Sequence, residues 1–552
     1  MTFGGPWSRN HTETGGRVRP TGPRDRLAVL LLTLGFALLS VAFALATPPF
    51  GGPDEPNHTA RAWGVYHGSV IIGAQYDATG QQVKQYLPTP PWVTVAEQPA
   101  TPFPVPCFAG DTTVTAGMCP PTQWNPGPPE PLANSFTSYF PTYYALVGWP
   151  FAVSDGAGAY YAARAMAVLL SVGAVGAGLW ALVPGRGTRA NLALLSVPAI
   201  TPTAVALFGV LSPNGFEIAL AFLVTCLLWR ARAPGAGHAG AAPSIRARVG
   251  FVAACLLLVT VRPSGAVWLA GILGAFVLLT GLRDRRSWLN FHTVAGAAVV
   301  LLGVALAAIN PPYQPSATVT PWLTPMTAVW YSVTRTADRL HQAIGISGWL
   351  DTPIPITLAL VGLTTWVILV YRAWTTSRQA RLAICWLLGF ALVLPWLLEA
   401  VQASRWLGWW QGRYQLPAVV ALIVVCVLLL RTGRLATWIT VGIWGALHWV
   451  LLVATVARNT TGFDGATLLT RGAPQTWWPP APSGVIIALG GVAVGLWLTA
   501  TWLSGGWSEP ISRSRPSSAA APAAPVPSPA TVTTPPQSRA TPGASSTGQA
   551  GS

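Results

Sequence analysis

From Leu27 to Ala46 the chain runs for twenty residues without one charged side chain, and similar runs recur along most of its length. At 1.5 Å per residue in a helix, such a run covers the roughly 30 Å hydrocarbon core of a bilayer. Backbone polar groups in lipid must pair within their own segment, so these runs are expected to be spanning helices. Composition agrees: 52% of the 552 residues are hydrophobic and 9% are charged, against roughly 25% charged in soluble domains. So few charges cannot build a surface facing water. The excess of basic over acidic residues, 32 to 16, would suit nucleic acid. Yet no Lys/Arg cluster interleaves with aromatics; the basic residues punctuate apolar runs, as in anchoring at a membrane surface. Nucleic-acid binding is excluded. Arginine outnumbers lysine 31 to 1, and Ala, Gly and Pro are abundant, a composition of the high-GC, actinobacterial type.

A cleaved signal peptide would need an apolar region of only about 7–15 residues, so Leu27–Ala46 is read as an uncleaved first helix. Further spans are expected at Tyr160–Val183, Asn191–Val210, Asn214–Trp229, Val249–Val261, Ser264–Leu282 and Phe291–Ile309. Others follow at Ile356–Tyr371, Leu382–Glu399, Leu416–Leu430, Leu435–Val456 and Val485–Leu503. Asn191–Trp229 and Val249–Leu282 are flanked by arginine at both ends and are too long for one crossing, so each should cross twice. Their breaks are Ser212-Pro213-Asn214-Gly215 and Arg262-Pro263-Ser264-Gly265, where proline removes a donor and glycine loosens the backbone. The expectation is an all-α polytopic membrane protein of about twelve helices.

Placing the short arginine-rich connections inside puts 22 of the 32 basic residues in the cytoplasm,. Three parts result: a cytoplasmic Arg-rich N-terminus over 1–26, a membrane domain over 27–504, and a Pro/Ala/Ser-rich stretch over 505–552. The last is read as a disordered cytoplasmic tail, because it cannot bury enough surface to offset chain entropy. Outer loops fall at about 47–159, 310–355, 400–415 and 457–484. The expected location is a bacterial plasma membrane, multi-pass, with both termini cytoplasmic. Cys226, Cys255, Cys385 and Cys426 lie inside spans as small apolar residues. Cys107 and Cys119 share the first outer loop, and an oxidising compartment would let them pair as a disulfide.

Ionisable groups near membrane depth are costly, so function is sought among them. Pro48–His58 carries the adjacent carboxylates Asp54 and Glu55 just beyond the first span. Asp54 is a candidate N-cap, with Glu55 and Pro56 in the first turn. A helix there sets Asp54 and His58 at i, i+4 and Glu55 and His58 at i, i+3. The same spacing suits a capped helix with a solvated acidic turn. No cofactor is required by the sequence; a divalent cation would find hard but incomplete ligands in Asp54, Glu55 and His58. A second cluster is Gln411-Gly412-Arg413-Tyr414-Gln415-Leu416-Pro417, and Arg262 and Glu217 stand at the two hairpin breaks. Arg413 and Arg262 adjoin glycine or proline, and guanidinium is a natural clamp for phosphate. Arg405 is read as snorkelling to headgroups. Most of the 27 tryptophans suit an interfacial belt, while Trp92 and Trp124 are also compatible with a platform for sugar rings,.

Together, Pro48–His58, the run Ile344-Gly345-Ile346-Ser347-Gly348-Trp349-Leu350-Asp351-Thr352-Pro353 and Gln411–Pro417 resemble a known family. It is a family of bacterial polytopic membrane proteins labelled as a domain of unknown function and grouped with the GT-C membrane glycosyltransferases. Arg262–Gly265 and Ser212–Glu217 fit its pattern, and the resemblance covers roughly Leu27 to Leu430. It implies a GT-C-like fold with a large first outer loop. It also implies an inverting glycosyltransferase that moves a sugar from polyprenyl phosphate to a polysaccharide, glycolipid or protein acceptor of the cell envelope. By that resemblance Asp54 or Glu55 is the general base. Arg413, with Arg262, steadies the leaving phosphate, and His58, Gln411, Tyr414, Trp349 and Asp351 line the substrate. A second acidic motif has only Asp338 and Asp351 as candidates. Two other classes compete: a secondary transporter of an envelope precursor, and a non-catalytic envelope-assembly scaffold.

Overall fold

The computed structural model describes residues 23–72, 86–93, 105–120, 122, 124, 127–183, 191–232, 244–281, 289–311, 324–403, 409–462 and 475–504. The Arg-rich N-terminus up to residue 22, the basic connections at 184–190, 233–243 and 282–288, Arg405, and the 505–552 tail lie outside the described residues.

The chain begins with α1 (Pro23–Ala46) and α2 (Glu55–Tyr66). Strands β1 (Tyr86–Thr89) and β2 (Glu130–Ala133) pair antiparallel, Tyr86 opposite Ala133, ahead of α3 (Pro141–Gly148) and α4 (Ala157–Leu182). Next come α5 (Leu192–Ser196), α6 (Pro202–Phe208), α7 (Pro213–Arg232), α8 (Ile245–Val261), α9 (Gly265–Thr280) and α10 (Phe291–Ile309). The next segment holds α11 (Pro325–Thr334), α12 (Thr336–Gly345) and the short antiparallel pair β3 (Ile346–Ser347) and β4 (Thr352–Pro353). The remaining helices are α13 (Ile356–Trp374), α14 (Arg378–Leu388), α15 (Leu394–Val401), α16 (Leu416–Leu429), α17 (Arg434–Thr460) and α18 (Ser483–Ser504).

Nine helical stretches among the described residues are long and apolar enough to cross a membrane, short of the twelve expected. Two of the missing three are α8 and α9, with 17 and 16 residues, on either side of the predicted hairpin. The third, Asn191–Val210, is a correction: it is not one helix but α5 and α6 with a bend between them. Pro198 and Pro202 interrupt the backbone ladder there. The broken backbone is buried in protein, where other groups satisfy it. Thr201 caps α6 by accepting from Ala204 N, and Trp366 Nε1 donates to Pro198 O at 2.9 Å. Between α14 and α15 a π-turn at Gly389–Val393 precedes Pro395. It re-spaces the ladder where that proline would otherwise meet the carbonyl four residues back.

The core lies around α16 and α7. In Gly412–Leu429 89% of the residues are buried, and in the apolar window of α7 72%, against 22% for α10. A helix apolar on every face belongs inside the protein, whereas α10 keeps an apolar side for lipid. α1 packs against α18 and α4, and α4 against α7. Because α7 and α9 both start, and α8 ends, at the same end of the bundle as α2, the hairpin breaks gather there with Gln411–Tyr414. Cys107 and Cys119 are joined as a disulfide.

Candidate functional site

The two adjacent carboxylates of the Pro48–His58 segment are turned in opposite directions. Glu55 opens α2 and is fully buried. Its Oε1 accepts from Arg164 Nε at 2.8 Å and Leu211 N at 2.9 Å; its Oε2 accepts from Arg164 Nη2 at 2.7 Å and Gly52 N at 2.9 Å. Arg164 spends its other donors on the carbonyls of Ala44, Thr47 and Pro48. Both groups are thus saturated, as a buried ion pair must be to offset desolvation. Gly52 has to be glycine for this: a Cβ there would lie 2.9 Å from Glu55 Oε2 and 2.7 Å from Val210 Cβ. Glu55 is therefore a brace, which corrects its expected candidacy as base and as metal ligand.

Asp54 occupies the expected N-cap position of α2, but its side chain does not cap. Its φ of 60° places it in the left-handed region, costly for a residue with a Cβ,. The carboxylate faces Arg413, whose Nη2 donates to Oδ2 at 2.7 Å; the Asp54 side chain is 28% exposed and that of Arg413 4%. Asp54 is thus the reachable carboxylate of the two. The other non-glycine residues with positive φ among those described are Phe50 and Leu350. Trp349 Nε1 donates to Phe50 O at 3.1 Å, so these bent segments meet. Arg413 is presented by a 3₁₀ turn at Gly412–Gln415. A Cβ on Gly412 would stand 2.1 Å from Arg339 O, which lets this turn press against α12,.

Tyr414 adjoins both arginines: the Arg413 guanidinium lies 5.0 Å and that of Arg262 5.1 Å from its ring centroid. Arg413 also donates to the Tyr414 hydroxyl at 3.1 Å. Arg262 is paired with Glu217 at 2.7 Å, and Ser264 donates to the other oxygen of Glu217. Both arginines retain a buried Nε–H without a partner among the described residues. His58 sits behind them, its Nδ1 2.9 Å from the Tyr144 hydroxyl and its ring 4.4 Å from that of Phe136. Burial first, then the positive fields of Arg262 and Arg413, holds its imidazole well below the ordinary 6.5,. A cavity of about 20 Å³ beside Arg413, touching Gly51, Gly52 and Ser347, has room for about one water,.

Asp54, His58, Arg262, Arg413 and Tyr414 therefore converge. Gln411 adjoins them through the chain, its Oε1 buried without a partner among the described residues. Two expected ligand residues do other work. Asp351 accepts from Arg458 Nη2 at 3.1 Å and from Gly110 N at 3.2 Å, while Arg458 donates to the carbonyls of Phe108, Asp111 and Val114. It anchors the disulfide-closed loop. Trp349 is a strut to Phe50. Trp92 is buried, its ring 5.4 Å from that of the half-buried Trp124, so Trp92 packs inside rather than offering a sugar platform. Asp338 makes an exposed pair with Arg335. No group of three His, Cys, Asp or Glu gathers around a metal-sized site among the described residues. Arg164 went unrecognised in the sequence, although a lone arginine inside the apolar run Ala157–Leu182 is itself a signal,.

A helical bundle with nine membrane-length apolar helices among the described residues, and a cluster of ionic side chains at one end, defines a multi-pass membrane protein. Residues 36–422 match the family described as "Predicted membrane protein (DUF2142)", and the chain belongs to it. No curated protein matches the sequence. Among solved structures the chain is distantly similar to ArnT from Cupriavidus metallidurans. The apo crystal structure gives 14% identity and a TM-score of 0.41; the one bound to undecaprenyl phosphate gives 14% and 0.40. In both, 86% of this chain and 76% of the other are covered.

Proposed function

We propose that the protein is a membrane glycosyltransferase that passes a sugar from a polyprenyl-phosphate donor to a cell-envelope acceptor at the outer membrane face. The observation that carries this is the Asp54–Arg413 pair: an accessible carboxylate 2.7 Å from a buried guanidinium that has a further donor to spare. The motif resemblance to GT-C enzymes supplies the reaction class. In the proposed step Asp54 takes the proton of the acceptor hydroxyl as its oxygen bonds to the anomeric carbon. The bond from that carbon to the phosphate oxygen breaks with its electron pair, inverting the configuration. Polyprenyl phosphate leaves beside Arg413, whose charge-assisted donors suit it. Arg262 is neutralised by Glu217, so it contributes position more than net charge. Both termini are proposed to be cytoplasmic.

The test is Asp54→Asn, which keeps the shape and removes the base. Sugar transfer should fall by about 10²–10⁴-fold. Donor binding should be unchanged or tighter, because Arg413 no longer faces a competing carboxylate. Full transfer by a normally folded Asp54→Asn variant would overturn the assignment.

A further inference from the structure

At the far end of the same helices lies a second cavity, of about 410 Å³, with a mostly apolar lining that includes two arginines. α7 begins beside the Asp54 cluster and ends at Arg232, and its 20 residues at 1.5 Å each put the two sites about 30 Å apart,. This cavity is formed where α7 and α9 end and where α8 and α10 begin. Its cationic wall is Arg232 and Arg248; its apolar wall includes Leu228, Phe276 and Phe291.

We propose that this cavity binds a phosphate group carrying net negative charge, the headgroup of an anionic phospholipid or a soluble phosphate of the same chemistry. Among the described residues no carboxylate lines it, and neither Arg232 nor Arg248 makes an ion pair. Arg248 has its guanidinium 5.2 Å from the Phe291 ring centroid and a buried Nε–H without a partner. Arg232 donates one Nη2 bond to Leu279 O, which holds its guanidinium at the rim. α10 starts at the cavity; Asn290 already accepts from the N–H groups of His292 and Thr293, so the helix adds its dipole field to the two cations rather than free donors,. Arg232 is exposed, as a snorkelling arginine would be, whereas Arg248 keeps a buried Nε–H beside the cavity, which snorkelling alone does not explain,. Phe291 is 40% exposed and Leu289 56%, so apolar surface adjoins the cationic wall, as a lipid's glycerol and acyl carbons require. The site is independent of the proposed transfer reaction.

The experiment measures binding to the purified full-length protein by native mass spectrometry and by thermal shift. The probes are phosphatidylglycerol, phosphatidylcholine and inorganic phosphate. Phosphatidylglycerol should bind at least about tenfold more tightly than phosphatidylcholine, whose choline cancels the charge. Arg248→Gln should remove most of that preference, and Arg248→Lys should keep part of it. The Arg248 side chain makes no hydrogen bond among the described residues, so its loss should leave lipid-free stability near wild type; Arg232→Gln serves as a second variant. Competition by millimolar inorganic phosphate would identify a soluble anion as the ligand, and its failure a lipid. Equal binding of the two lipids with no effect of inorganic phosphate, or a preference that survives Arg248→Gln and Arg232→Gln, would overturn the proposal.

Discussion

Asp54 and Arg413 are 359 positions apart in the chain, and their side chains meet at 2.7 Å. The contact joins the carboxylate best placed to take a proton to the cation best placed to hold a phosphate. Each occupies the other, so in the proposed reaction an arriving phosphate would compete with Asp54 for Arg413 and release the carboxylate.

Arg413→Ala should therefore weaken donor binding as well as slow transfer, since the phosphate is charged in ground and transition states alike. Arg413→Lys should restore only part of both, because lysine keeps the charge and loses the forked geometry. Equilibrium binding and single-turnover transfer, measured separately, check this. A variant that loses rate with unchanged donor affinity would remove Arg413 from the phosphate site.

Glu55 should behave as a structural residue. Breaking a saturated buried pair leaves an uncompensated charge, which costs about 3–5 kcal/mol. Glu55→Gln and Arg164→Met should each lower thermal stability markedly, and the double variant by clearly less than the sum. Asp54→Asn should cost clearly less than Glu55→Gln, because Asp54 is partly exposed and asparagine keeps an acceptor for the buried Arg413,. Thermal unfolding of the three in one detergent decides it; wild-type stability in Glu55→Gln would refute the brace.

His58 makes stability depend on pH. In the folded protein its imidazole titrates well below 6.5 because it is buried and faces Arg262 and Arg413, with Tyr144 and Tyr139 the other titratable groups around it. The unfolded chain then binds the proton first as pH falls, so stability is full above about pH 6.5 and declines below it. His58→Gln should lessen the slope of the melting-temperature profile between about pH 6.5 and 5. A profile identical to wild type would show that His58 does not carry the dependence.

Orientation can be read with single cysteines in a background lacking the native free ones. Ile71 is 81% exposed at the Asp54 end, and Thr376 is exposed beyond the other end of α13. A membrane-impermeant thiol reagent applied to intact cells should label Ile71→Cys and spare Thr376→Cys until the membrane is opened. The reverse pattern would invert the proposed orientation.

Much of the architecture was legible in one dimension. Leu27–Ala46, Tyr160–Val183 and Leu435–Val456 became α1, α4 and α17 within a few residues at either end, and the Arg262–Gly265 break became the α8–α9 hairpin. Lipid forces this: uninterrupted apolar length and flanking arginines are local properties, and a bilayer leaves them few foldings. Asn191–Val210 escaped that logic because its environment is protein. Trp366 repairs the bend at Pro198, and it lies 168 positions away.

The site divides the same way. Residue type and neighbourhood were enough to single out Asp54, Glu55, His58, Arg262 and Arg413, since ionisable groups beside glycine and proline near a membrane boundary are conspicuous locally. Which of the two carboxylates is accessible was decided by partners brought from elsewhere. Arg164 and Leu211 consume Glu55, while among the described residues Arg413 pairs with a partly exposed Asp54. Asp351 was likewise claimed by Arg458, 107 positions on. A side chain's chemistry is written in its own residue, whereas its availability depends on which long-range contacts saturate it.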